Sequence, residues 1–132
     1  MPDTPGAPAE APTILVVDDD PEIRSFVVEG LLAAGYRVVE AADGQEAIEV
    51  AKEHNPSLMV LDLSMPRMHG FQVCLAVRGD PRLRPMKIIV TSGKSYPVDI
   101  RAAKDAGADQ YLVKPYGFQQ LVDAVERLLE GA

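Results

Sequence analysis

The sequence predicts an α/β domain in which a five-stranded parallel sheet is covered by helices on both faces. Three observations carry that prediction. Short runs rich in Val, Ile and Leu alternate with segments whose apolar residues recur at helical spacing, β then α, five times over. Four of the five short runs are apolar almost throughout, as strands buried on both faces require. The connections are short, so successive strands join through right-handed crossovers and lie parallel.

The elements follow in order. TILVV (13–17) is the first strand. Pro21 suits the first turn of a helix, and Ile23, Phe26, Val27, Leu31 and Ala34 form its apolar stripe until Gly35 ends it. YRVVEA (36–41) is more mixed than the other strands, which places it near an edge. A second helix runs from Asp43, its cap, to Glu53, and stops before Pro56. LMVLD (58–62) is the third strand, and Phe71 to Val77 a short third helix. KIIVT (87–91) precedes a fourth helix from Pro97 to Ala106, ended by Gly107. QYLVK (110–114) is the last strand, and Phe118, Leu121, Val122, Val125, Leu128 and Leu129 are the stripe of the last helix. Five units of this size suggest the flavodoxin-like (βα)5 arrangement, a doubly wound sandwich with strand order 2-1-3-4-5. Ligands of such sheets bind beyond the carboxyl ends of the strands, at the switch point between strands 1 and 3.

Composition narrows the function classes. The 132 residues fit one domain, with 47% hydrophobic and 25% charged residues. A formal net charge of −7 disfavours nucleic acid or an anionic membrane as main partner. No apolar run approaches the length of a membrane span. The lone cysteine, Cys74, cannot form an internal disulfide and sits in an apolar stretch, so it reads as a buried helix residue in a reducing compartment. The opening MPDTPGAPAEAPT lacks the features of a signal peptide; residues 1–12 are expected to be a disordered tail. The expected location is the cytoplasm.

The residues that follow each strand are chemically selective. Strand 1 runs into Asp18, Asp19 and Asp20, strand 3 ends in Asp62, strand 4 in Thr91 and Ser92, and strand 5 in Lys114 before Pro115. If the strands are parallel, these groups converge on one edge. Adjacent carboxylates repel and raise each other's pKa, a conflict that a hard cation relieves. Asp18, Asp19 and Asp62 can supply oxygen ligands to Mg²⁺. Thr91 can donate to a phosphoryl oxygen and Lys114 can pair with another. Asp62 is then placed to act as a nucleophile forming an aspartyl-phosphate. Asp20 reads as a helix cap.

VVDDDPEIR, VLDLSMPRMHG, IIVTSG and YLVKPY, in this order and spacing, resemble the receiver domain of bacterial two-component response regulators. The resemblance covers about Thr13 to Leu129, with a receiver domain expected over 13–130 and no output domain. It implies that Asp62 is the phosphoacceptor and that Asp18 and Asp19 hold Mg²⁺, for which Mn²⁺ could substitute. Asp19 would be the direct ligand and Asp18 would act through water, with the backbone carbonyl of Ser64 a further ligand. Thr91 matches the switch hydroxyl, Lys114 the phosphate-pairing lysine and Tyr111 the switch aromatic, which also suits half-buried strand packing. No organic cofactor is implied. The Lys114–Pro115 bond is usually cis in the family. His69 departs from the Asp or Asn common before the glycine and reads as a surface loop residue. Ser64 and Gly93, which line the approach of the hydrolytic water in relatives, are neither carboxylates nor carboxamides, so self-dephosphorylation is expected not to be especially fast.

The implied function is a phosphorylation switch rather than an enzyme. A histidine kinase or histidine phosphotransfer protein supplies the phosphoryl group, and a protein target reads the surface of helix 4, strand 5 and helix 5. The protein would be a monomer or a phosphorylation-dependent dimer. Two other readings have less support. A phosphatase of the haloacid dehalogenase class would use Asp18 as nucleophile, but the chain lacks its cap insert and late paired acids, and DLSMP would have no role. A phosphate-independent binding module would leave the quartet of Asp19, Asp62, Thr91 and Lys114 unexplained.

Overall fold

In the computed structural model, which describes residues 11–64 and 70–130, successive residues of each strand pack into two different cores, one on each face of the sheet. The strands are β1 (Thr13–Val17), β2 (Arg37–Ala41), β3 (Leu58–Asp62), β4 (Lys87–Ser92) and β5 (Gln110–Val113). The helices are α1 (Pro21–Ala33), α2 (Gly44–His54), α3 (Gly70–Gly79), α4 (Pro97–Asp105) and α5 (Phe118–Glu130). All pairings are parallel and the order is β2-β1-β3-β4-β5, as expected, with β2 at an edge.

Alternation along the strands sends Ile14, Val16, Leu58, Val60, Ile89 and Leu112 to one face, where Val27 and Leu31 of α1 and Leu121 and Val125 of α5 cover them. Leu15, Val17, Met59, Leu61, Ile88 and Val90 face α2, α3 and α4 on the other side. Because the inner strands are packed above and below, their middle residues are apolar on both faces, whereas edge strand β2 carries Arg37 and the exposed Glu40. Cys74 is fully buried in the second core, and burial pushes its thiol up to about 11, which keeps it protonated and unreactive at neutral pH.

The stripe expected on α1 needs correction. Val27 and Leu31 are buried, but Ile23 is exposed and Phe26 is 67% exposed. Phe26 lies one position off the row Ile23, Val27, Leu31 and Ala34, which repeats at helical spacing. It meets Phe118 edge to face, with ring centroids 6.3 Å apart. Ile23 belongs to the first helical turn and remains solvated.

Asp20 caps α1, accepting from the amides of Glu22 and Ile23, and Asp43 caps α2 by accepting from Glu46. Gly35 and Gly107 follow α1 and α4 with φ of 99° and 118°, a region that favours glycine. The Pro12 carbonyl accepts from Arg37, extending the β1–β2 ladder by one bond. The rest of the expected tail, residues 1–10, and the loop 65–69 with His69 lie outside the described residues.

Candidate functional site

The ends of β1, β3, β4 and β5 form one edge, and the crossover from β1 to β2 on one side and β3 on the other opens it there. Asp18 and Asp62, one residue beyond β1 and the last of β3, are 6% and 4% exposed. Asp19 lies in solvent. Their carboxylates approach so that one oxygen from each lies within 4.8 Å of the others. A set of carboxylate oxygens at that spacing, one of them open to water, suits a hard cation that keeps part of its hydration shell. The three acids named from the sequence therefore lie together.

Local hydrogen bonds hold the cluster. The Asp20 amide donates to Asp18 Oδ1 at 3.0 Å, and the Ser64 amide donates to Asp62 Oδ1 at 3.1 Å. Lys114 Nζ stands 3.3 Å from Asp62 Oδ1. Lys114 follows β5 directly, its amide bonded to the Ser92 carbonyl at 2.7 Å, and its bond to Pro115 is cis. Thr91 is buried and pairs in register with Asp62 across the β3–β4 ladder.

The electrostatics differ in emphasis from the crowding expected of three adjacent aspartates. The Asp18 carboxyl is raised above its ordinary value chiefly by burial. The Asp20 amide opposes that, and the charge of Asp62 adds to it ahead of that of Asp19. Burial also raises the Tyr116 phenol, followed by the charges of Asp18 and Asp62. Tyr116 and Arg24 are site neighbours that the sequence did not single out. Arg24, whose guanidinium donates to the Asp18 carbonyl, was visible only as the last residue of VVDDDPEIR, and that contact depends on the turn geometry.

Tyr111 is buried, and its hydroxyl donates to the Lys94 carbonyl at 2.9 Å, tying β5 to the β4–α4 loop. Beside it lies a cavity of about 270 Å³ bordered by Ser64, Phe71, Ser92 and Asp99. Gly93 is exposed at the mouth of that loop. No helix among the described residues is long and apolar enough to cross a membrane.

Known proteins resemble the chain in sequence and fold. The chain is 40% identical over 119 residues to the transcriptional regulatory protein PrrA of Mycobacterium tuberculosis, covering 90% of this chain and 50% of that protein. The chain thus spans about half the length of the curated relatives it matches. The chemotaxis response regulator CheY4 of Vibrio cholerae superposes with a TM-score of 0.84 at 33% identity, covering 89% of this chain and 98% of that one. The receiver domain of the sensor histidine kinase PA1611 from Pseudomonas aeruginosa, 26% identical, covers 91% of this chain and 98% of its own with a TM-score of 0.84, and it carries a magnesium ion in its active-site cleft. The family model described as the response regulator receiver domain matches residues 14–126, and the chain belongs to that family, the receiver domains of two-component systems.

Proposed function

We propose that the chain is a phosphorylation-activated switch whose acceptor is Asp62. The observation that carries this reading is the pairing of Lys114 with Asp62, 3.3 Å apart, beside the Asp18–Asp19–Asp62 cluster. The phosphatase alternative needs Asp18 as nucleophile, but the lysine contacts Asp62. A carboxylate oxygen of Asp62 attacks the phosphorus of a phosphohistidine on a kinase or phosphotransfer protein. The O–P bond forms as the N–P bond breaks, and the electron pair returns to the imidazole, which takes up a proton. Lys114 turns from the carboxylate to a phosphoryl oxygen, and Thr91 donates its hydroxyl to another. Asp18, Asp19, Asp62 and the Ser64 carbonyl would hold Mg²⁺, or Mn²⁺ in its place, which when bound would supply positive charge to offset that of the phosphoryl oxygens.

The readout follows from the same elements. Drawing Thr91 toward the phosphoryl group changes the space beside Tyr111, and the bond from Tyr111 to Lys94 couples that change to the β4–α4 loop. The α4–β5–α5 surface then engages a protein target or a second copy, in a population shift between two states. Nucleic acid and membrane are not direct partners of this domain, and the cytoplasm is its place of action. With neither a carboxylate nor a carboxamide at Ser64 or Gly93, self-dephosphorylation is not especially fast; a short-lived phosphoprotein in the absence of partners would contradict this.

The test is incubation with acetyl phosphate, with and without Mg²⁺, read by intact mass. One phosphoryl group is gained with Mg²⁺ only, and Asp62→Ala abolishes the gain. Turnover of the donor that survives Asp62→Ala but not Asp18→Ala would instead establish the phosphatase reading. Absence of any modification would point to a phosphate-independent module.

A further inference from the structure

We infer that Arg24 is the positioning residue of the cation-binding turn, an inference that rests on the switch reading above. Its Nη1 donates to the Asp18 carbonyl at 2.7 Å, and its Nε bonds Glu40 at 3.0 Å. The β1–β2 ladder reaches Asp18, whose amide donates to the Ala41 carbonyl at 3.2 Å, but β2 ends there and the chain turns into α2. Arg24 supplies a donor to the carbonyl at that break, and Glu40, the neighbour of Ala41, holds the guanidinium. Residue 18 is thus braced from β2 at both its amide and its carbonyl. The orientation of that peptide directs the Asp18 side chain toward Asp62 and sets where Asp19 begins. The exposed Arg24–Glu40 pair alone is worth little; the fixed fork of the guanidinium gives it the second bond.

The effect of removing Arg24 has a diagnostic sign. A positive charge near the acids by itself weakens cation binding, so if Arg24 acted only by its charge, its loss would tighten Mg²⁺. If it positions the turn, its loss weakens Mg²⁺, by roughly tenfold as for other partners that orient metal ligands. The experiment is a Mg²⁺ titration of wild type, Arg24→Met and Arg24→Lys followed by amide NMR, with thermal unfolding in metal-free buffer as the check on folding. Weaker binding by Met, with Lys between Met and wild type, supports the inference. If Arg24→Met does not fold, Arg24→Lys decides: weaker binding than wild type supports positioning, and equal binding overturns it. Unchanged or tighter binding by a folded Arg24→Met overturns this inference alone. Failure of the wild type to bind Mg²⁺ overturns the switch reading and this inference with it.

Discussion

Burial pushes the Asp18 carboxyl up, the Asp20 amide pulls it back, and the charge of Asp62 pushes it up again. A carboxyl raised in the native state above its ordinary 3.8 makes stability fall as pH rises through the native value, because the unfolded chain gives up that proton first. In its ionised form Asp18 therefore opposes folding when no cation is present. Asp18→Asn keeps an oxygen for the Asp20 amide and removes the charge. It should stabilise the metal-free protein by on the order of 1 kcal/mol at pH 7, with the gain shrinking on acidification, while weakening Mg²⁺. Denaturant unfolding at several pH values in chelator measures this; a loss of stability at neutral pH would show that packing, not charge, governs the site. The three consecutive acids were plain in the sequence. That burial outweighs their mutual repulsion was not, because burial depends on α1 and the strand ends closing around Asp18.

Gly70 links an element to the site. A Cβ there would collide with Leu63 Cδ2 and stand 2.9 Å from the Leu63 Cα, on backbone adjacent to Asp62. The first turn of α3 can press against the end of β3 only because residue 70 has no side chain. Gly70→Ala is expected to displace the Leu63–Ser64 backbone, costing about 1–3 kcal/mol and slowing acetyl phosphate labelling more than its loss of stability accounts for. Thermal melts and labelling rates on the same samples separate the two effects. Arg78, by contrast, works far from the site. Its guanidinium bonds the carbonyls of Arg84, Met86 and Gly107 and the carboxylate of Asp109, joining the end of α3 to the loops before β4 and β5. Helix and strand boundaries were legible to within a residue or two from apolar period and caps. The solvated Phe26 was not, since a stripe read at loose helical spacing cannot tell a core row from its neighbour.

Across the whole molecule, the sheet brings to one edge groups 96 positions apart in sequence, Asp18 and Lys114. The cluster repels itself, so a cation that binds only the assembled edge must stabilise the fold. At tenfold over its dissociation constant, Mg²⁺ should add about 1.4 kcal/mol. Calorimetric melts should rise with Mg²⁺ for the wild type and much less for Asp19→Asn, which keeps the shape and removes a ligand charge. Equal rises in both would place the cation elsewhere.

The sequence by itself determined the fold class, the strand order and the acidic, hydroxyl and ammonium groups at the strand ends. Strands buried on both faces must be apolar throughout, so the polar residue where each run stops is conspicuous. The tertiary structure alone decided which of those groups touch, that Lys114 pairs with Asp62, that Tyr111 is tied to Lys94, and that Arg24 reaches back to the Asp18 carbonyl. Such contacts join residues on different elements or across a turn, and their distances follow from the twist and packing of the sheet, which no local pattern of residues encodes.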